Sequence, residues 1–308
     1  MLCPYCQSPK TKKKGFYENA EKKRRQRYFC KICLRYFSET AASLLSRQKK
    51  PDLNRYIFAF LVSGMSQRKI ATRLSTTRKT VDRKLVFLAR HSRSFHAEYL
   101  TKMKKIRDVT FDEMETFEHS KCKPVAIAVA VNSKTRIIIA ARVARMPAKG
   151  RLAVISRRRY GRRPDLRPKA LRQALSAIKS VTTPDLLLRS DQSPRYPKYV
   201  REILPNAIHK TYKGRKAVIA GLGELKAGGF DPLFSLNHTC AMFRDNIKRL
   251  SRRTWCTTKR PDRLQCLVDL YVVAHNYVID ATSASGPQRR KLANPWLEIG
   301  AGAGTSAS

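Results

Sequence analysis

Asp112 and Asp191 each stand at the end of an apolar, strand-like run, Val109-Thr110-Phe111-Asp112-Glu113 and Leu186-Leu187-Leu188-Arg189-Ser190-Asp191-Gln192. Carboxylates are scarce here, with 22 Asp+Glu against 65 Lys+Arg and a formal net charge of +43. Two of them at strand ends have the character of hard-cation ligands, because Mg²⁺ takes carboxylate oxygens and keeps positions open for a phosphate. For either one alone, a solvated strand terminus is the competing reading. A second constellation opens the chain. Cys3 and Cys6 (CPYC), then 23 residues, then Cys30 and Cys33 (CKIC) form two C-x-x-C turns. Each turn aims two thiolates at one centre, and together they complete a tetrahedral four-cysteine site for structural Zn²⁺. Cys122, Cys240, Cys256 and Cys266 are scattered and carry no such pattern.

The elements that must position these groups follow from composition and periodicity. A chain of 308 residues with 42% hydrophobic content can bury a core in two or three domains. A pI of about 10.6 attracts polyanions, and neutralising phosphates releases counterions. No apolar run approaches the ~20 residues needed to span a bilayer, which disfavours a membrane partner. The opening Met-Leu-Cys-Pro-Tyr-Cys holds no apolar signal segment. A cytoplasmic, nucleoid-associated location is therefore expected.

Between the cysteine pairs, Tyr17, Tyr28 and Phe29 suit short strands, set among Lys12, Lys13, Lys14, Lys22, Lys23, Arg24 and Arg25. Residues 51–91 then carry helical periodicity. Pro51-Asp52 opens a helix with Ile57, Phe60 and Leu61 on one face, and Ser63-Gly64 breaks it. Ser66 caps a short helix with Ile70, Ala71 and Leu74 inward, Ser75-Thr76-Thr77 turns, and Val81, Leu85 and Leu88 line a third helix. This is a helix-turn-helix layout, whose last helix enters the major groove. Arg78, Lys79, Thr80, Arg83 and Lys84 would face outward to phosphates and base edges; a bundle linking two domains is the plainer alternative.

From Ile106 the period becomes that of strands. Asp108–Phe117, Pro124–Val131 and Arg136–Val143 form an antiparallel meander through the turn Asn132-Ser133-Lys134. Pro168–Ser180 reads as a helix, and Asp185–Ser190 as a buried parallel strand. A helix near Tyr199–Leu204, a strand at Ala207–Tyr212 and a helix over 232–253 follow. That order describes an α/β, ribonuclease H-like domain, a mixed five-stranded sheet with flanking helices. The run Arg157 to Arg163 reads as a basic loop, Trp255 as packing a helix end, and residues 281–308 as an unstructured tail.

CPYC/CKIC, GMSQRKIATRLSTTRKTVDRKL, FDEMETF, RSDQSPRY and LNHTCAMFRDNIKRLSRRTWCTTK carry a resemblance. Over roughly residues 1–278 the chain resembles the DDE transposases of small bacterial insertion sequences, in the subgroup led by a zinc knuckle pair and a helix-turn-helix. The resemblance implies a four-cysteine zinc ribbon at 1–45, a helix-turn-helix at 50–95 and a catalytic domain at 104–280. It places catalytic acids at Asp112, at Asp191 and near the start of the 232–253 helix, where Asn237 stands in place of a Glu. Asn can still ligate Mg²⁺ through its carbonyl oxygen, without charge. Asp231 is the second candidate for that ligand, although its place before Pro232 reads as a helix N-cap. Glu224 lies in a Gly-rich loop, and Glu113 points to the opposite strand face from Asp112.

The implied activity is cleavage and strand transfer of double-stranded DNA, at terminal inverted repeats and into a target. Two Mg²⁺ or Mn²⁺ ions would be held by Asp112, Asp191 and Asn237. His238 could contact the scissile phosphate. Arg244, Lys248 and Arg252, spaced i, i+4, i+8, could clamp the substrate backbone. Joining two ends implies at least a dimer. A sequence-specific DNA-binding repressor, or a remnant with an inert catalytic domain, is the alternative that Asn237 favours. A structural RNA-binding protein explains the charge but not the two aspartates.

Overall fold

The computed structural model describes the chain except for residues 19–23, 39–40, 42–47, 214–224, 227–228, 252–253 and 284–308. The expected tail thus lies outside the described residues from 284 onward, as do Glu224, Arg252 and Trp296. The chain divides into two compact units, meeting between Arg55 and Tyr56.

The first unit is built on a three-stranded antiparallel sheet, β1 (Thr11–Glu18), β2 (Arg24–Cys30) and β3 (Tyr36–Ser38), in that order. Among the described residues its buried core is small: Cys3, Cys30 and Phe37, with Tyr28, Cys33 and Ala41 against them. So few apolar side chains leave a module of this size short of folding energy.

Helix α1 (Leu53–Val62) runs across the division and ends at Gly64, whose φ of +75° suits glycine. In the second unit, α2 (Gln67–Arg73) is capped by Ser66, whose hydroxyl accepts from the Lys69 N–H. Thr77 caps α3 (Arg78–Lys102) in the same way through the Thr80 N–H. α3 runs to 25 residues because its later turns lie along α8 (Pro261–Ser283). Arg93 and Asp269 pair across them at 2.7 Å, and Asp82 and Arg263 at 3.0 Å.

The larger sheet has the order β6-β5-β4-β7-β8. β4 (Ile106–Glu118), β5 (Ser120–Asn132) and β6 (Ile138–Arg145) form the antiparallel meander, while β7 (Thr182–Asp191) and β8 (Ile208–Tyr212) run parallel to β4. Between β6 and β7 come α4 (Leu152–Tyr160) and α5 (Arg167–Val181), and between β7 and β8 comes α6 (Tyr196–Ile203). α7 (Phe234–Asn246) and a 3-10 turn at Lys248–Leu250 precede α8. This is the mixed five-stranded α/β arrangement of the ribonuclease H-like class. The edge strand β6 is closed by side chains of α8. Gln265 accepts from Val143 N–H and donates to the Ala141 carbonyl, and Asn276 accepts from Ile138 N–H and donates to its carbonyl. Amides in place of a neighbouring strand satisfy an otherwise open edge.

Two expectations are corrected here. Arg157–Tyr160 belongs to α4, with only Gly161 onward outside it, because nothing before Gly161 breaks a helix and arginine favours one. The helix expected over 232–253 stops at Asn246, where Ile247 turns to φ −111° and ψ 99°.

Candidate active site

Strand β5 sorts the two faces of the sheet. Its residues Val125 to Val131 are all buried, with Val and Ile alternating with Ala. The alanines Ala128 and Ala130 share a core with Phe111, Val109, Leu186 and Leu188 and with Ala170, Leu171, Ala174 and Leu175 of α5. Small side chains there let the helix approach closely. Alternation then sends Thr110, Asp112 and Met114 to the opposite face of β4, and Leu187, Arg189 and Asp191 to that same face of β7. The parallel register pairs Thr110 with Arg189, so Asp112 and Asp191 each stand two residues further along neighbouring strands. The sheet therefore brings together the two carboxylates singled out from sequence.

Both are anchored through Oδ1. Asp112 Oδ1 accepts from the Glu113 N–H at 2.6 Å and from the Tyr196 hydroxyl at 2.8 Å. Asp191 Oδ1 accepts from the Ser193 N–H at 3.0 Å in an Asx turn. Burial first, and the charge of Asp191 second, push the Asp112 carboxyl up from 3.8 to about 6. Tyr196 is itself raised, by burial and by the charge of Asp112, and stays a phenol donor. Glu113 takes the other strand face, as expected, and pairs with Arg195. The short segment after Asp191 thus folds back on β4 and holds both of its consecutive acids.

Tyr196 and Arg195 are beyond the reach of sequence reasoning. Pro194 and Pro197 signal a sharp turn after the strand, but the contact with β4 is tertiary and no local signal carries it.

Helix α7 lies on the Asp112 face. Its Cys240 is buried and pushed up to about 12 chiefly by that burial, with the charge of Asp112 adding to the rise. Asn237, one turn earlier, is exposed and donates through Nδ2 to Asp231 Oδ2 at 2.7 Å. Asp231 is 4% exposed and is not the helix N-cap. The helix begins after Leu233, and Asp231 Oδ1 accepts from the Leu233 N–H instead. Proline at 232 moves the first helical turn two residues past the expected cap. His238 lies against Arg136, whose Nη1 is 3.2 Å from both ring nitrogens. Burial and that cation lower the imidazole's pKa, keeping it neutral. The expected stripe of Arg244, Lys248 and Arg252 does not form as one helix face. Arg244 lies on α7, Lys248 lies in the 3-10 turn past the break, and Arg252 is outside the described residues.

Of the five residues expected to face outward on α3, Arg78, Lys79 and Arg83 are exposed. Thr80 is half-buried, its hydroxyl 3.0 Å from that of Thr77. Lys84 is a correction: it is 5% exposed, because the helical period carries it inward with Val81, Leu85 and Leu88. Trp255 is a second, since it is fully exposed and packs no helix end.

In the first unit the ligand atoms of Cys3, Cys6, Cys30 and Cys33 all lie within 4.8 Å of one another. Cys3 Sγ is 3.5 Å from Cys33 Sγ, and Cys6 Sγ is 3.5 Å from Cys30 Sγ. Backbone N–H groups, first that of Cys33, hold the Cys30 thiol down at about 6, while burial holds Cys33 up at about 12. Four convergent sulfurs, one already thiolate-prone, fit a tetrahedral soft-metal site.

No protein-family model matches the chain, and no curated protein matches it. Among solved structures, the Mos1 strand transfer complex aligns at 13% identity over 85% of this chain and 81% of its own, with a TM-score of 0.28. The Mos1 transposase paired-end complex with left transposon end aligns at 13% identity over 83% and 80%, with a TM-score of 0.28. The Mos1 mariner paired end complex with Mn aligns at 12% identity over 83% and 79%, with a TM-score of 0.25. The fold class rests on the strand order and directions described above. Among the described residues, no helix is long and apolar enough to cross a membrane.

Proposed function

We propose that this chain is a DDE-type DNA transposase that binds the terminal inverted repeats of an insertion sequence and catalyses metal-dependent cleavage and strand transfer. The observation that carries the reading is the pair Asp112 and Asp191, set side by side on one sheet face, the first raised by burial and by the charge of the second. A sheet gains nothing in stability from two adjoining carboxylates. A divalent cation between them removes the repulsion, so the donor set fits Mg²⁺ or Mn²⁺.

Asp112, Asp191 and the carbonyl oxygen of Asn237 would hold the ions. Bound there, two such ions supply charge that activates an attacking oxygen and stabilises a leaving one at phosphorus. The chain's own residues set the stage. Tyr196 and the Glu113 and Ser193 N–H groups fix Oδ1 of each aspartate. Among the described residues no donor reaches either Oδ2, which leaves that oxygen for the cation. Asp231 fixes the amide of Asn237 by accepting from Nδ2, so its carbonyl oxygen turns away from Asp231. Arg244, on the same helix, is the cation best situated to meet the substrate backbone.

The remaining assignments follow the same reading. Residues 1–45 form a zinc ribbon, 50–95 a helix-turn-helix that reads duplex DNA through Arg78, Lys79 and Arg83, and 104–280 the catalytic domain. The working protein is at least a dimer on DNA and acts at the nucleoid. The second reading, a DNA-binding remnant with an inert catalytic domain, is favoured by the neutral Asn237 where an acid is expected. Incubation with the element's own ends and Mg²⁺ or Mn²⁺ separates the two. Nicking and joined products that vanish in Asp112→Ala support the enzyme, and their absence in the unaltered chain supports the remnant.

A further inference from the structure

The three-stranded sheet of the first unit has two chemically distinct faces. One carries Cys30 with Tyr28 and Phe37, whose rings stack at 5.5 Å, over the cysteine cluster, and at its far end a single ring, Phe16, under the Arg24 guanidinium at 4.1 Å. Alternation puts Arg25, Arg27 and Phe29 of β2 on the other. Register sets Lys12 and Tyr36 beside Phe29, and Tyr17 beside Arg25. The side-chain contacts agree. Lys12 Nζ is 5.7 Å from the Phe29 ring centre, and Phe29 and Tyr36 lie 4.9 Å apart. The Arg27 guanidinium is 5.7 Å from Tyr17 and 5.8 Å from Tyr36.

Three rings and three cations therefore share one face. Glu18, the acid of these strands, pairs in register with Arg24 on the other face. Tyr36 is 54% exposed, while Tyr17 and Phe29 are half-buried beside it. Cations alone would serve a duplex, whose bases hide their faces within the stack. Open aromatic rings gain only where bases are unpaired and can lie on them, and arginine planes stack on bases as well.

We propose that this sheet face binds single-stranded nucleic acid, stacking unpaired bases on Tyr17, Phe29 and Tyr36 while Lys12, Arg25 and Arg27 neutralise the flanking phosphates. The assignment does not depend on the chain being a transposase.

The test uses the full chain with a short single strand carrying 2-aminopurine, and with the duplex of the same sequence. Binding of the unaltered protein quenches the 2-aminopurine in the single strand. Tyr36→Ala lowers single-strand affinity about 5- to 150-fold and abolishes the quenching, with duplex affinity kept within about twofold. Tyr36→Phe, which keeps the ring, restores both. Lys12→Ala lowers single-strand affinity and reduces its salt slope by about 0.7. Circular dichroism and thiol titration identical to the parent establish that each variant keeps the sheet. Unchanged single-strand affinity in Tyr36→Ala, or an equal fall for single strand and duplex, overturns the proposal; an equal fall marks the face as a duplex backbone contact.

Discussion

Asp112 and Asp191 stand at matching positions on adjacent parallel strands, each two residues past the paired Thr110 and Arg189. On that face Asp112 has apolar neighbours in Val129, its partner on β5, and Met114, which follows it on β4, while Thr110 precedes it. Two carboxylates in such a setting repel each other and lose hydration. The Tyr196 hydroxyl and two backbone N–H groups offset only part of that cost. The remainder is a penalty that the protein carries and that a cation held between the two carboxylates would remove.

The penalty has a pH signature. Asp112 titrates at about 6 in the folded chain against 3.8 ordinarily, so between those values the folded state holds a proton that the unfolded state has lost. Stability therefore falls as pH rises through this window, and the full cost is present above it. Asp112→Asn should raise unfolding free energy by about 2–3 kcal/mol at pH 7.5 and by nothing below pH ~4. Urea melts at the two pH values check this. Mg²⁺ should stabilise the parent at pH 7.5 and leave Asp112→Asn unmoved.

The cysteine cluster predicts one zinc per chain in protein purified without added metal. With so small a core among the described residues, folding of this module should depend on a bound metal. Cys30→Ser should unfold residues 1–40 while the circular dichroism of the large sheet persists. Metal analysis that finds no zinc, with all four thiols freely titratable, would refute the site.

The sheet is legible in the sequence because β5 repeats Val or Ile with Ala and its turn Asn132-Ser133-Lys134 is polar. The meander follows from that pattern, and the parallel strand and both aspartates follow from the apolar runs at 109–111 and 186–188. Strand ends are not legible, since backbone pairing carries β4 and β5 past their apolar centres to Glu118 and Ser120. The length of α3 is hidden for a related reason. Its last turns have no clear apolar period, and what holds them is far away in sequence. α8 holds them through Arg93 and Asp269, β6 through His96 and the Ile138 carbonyl, and the sheet core through Leu100, which packs on it. Lys84 reads as a surface charge by its type, but its position decides, one residue from Leu85 and three from Val81. The hydrogen bonds of Tyr196 and Asp231 depend on chain reversals that no local pattern announces.

On α3 the exposed Arg78, Lys79 and Arg83 should separate from the buried Lys84. Alanine at any of the first three should weaken preference for the element's end over unrelated duplex, by about 1–3 kcal/mol where a bidentate base contact is lost. Non-specific affinity should persist on the remaining basic surface. Lys84→Ala should instead lower the melting temperature without changing sequence preference. Competition binding with specific and scrambled duplexes, alongside thermal melts, distinguishes the two effects. Equal loss of specific and non-specific binding in Arg78→Ala would exclude this helix as the reader.

Asn237 and Asp231 form a hydrogen-bonded pair, and under the proposed function activity would turn on it. If Asn237 supplies a carbonyl oxygen to the metal, Asn237→Ala should cut cleavage sharply, and Asp231→Asn should cut it less, by freeing the amide to rotate. Restoring an acid at 237 is not a simple gain in this chain. Asn237 Nδ2 donates to the buried Asp231 Oδ2 at 2.7 Å, so a glutamate there would turn a hydrogen bond into like-charge repulsion. Asn237→Glu alone should therefore lose stability, by about 1–3 kcal/mol, since the buried Asp231 oxygen also loses its donor. Paired with Asp231→Asn, the same glutamate regains a donor. The double variant should recover the melting temperature, cleave at least as well as the parent, and need less Mg²⁺. Cleavage and melting assays on both single variants and the double complete the cycle. Additive effects would show that the two side chains do not cooperate, and a silent Asn237→Ala would remove Asn237 from the metal site.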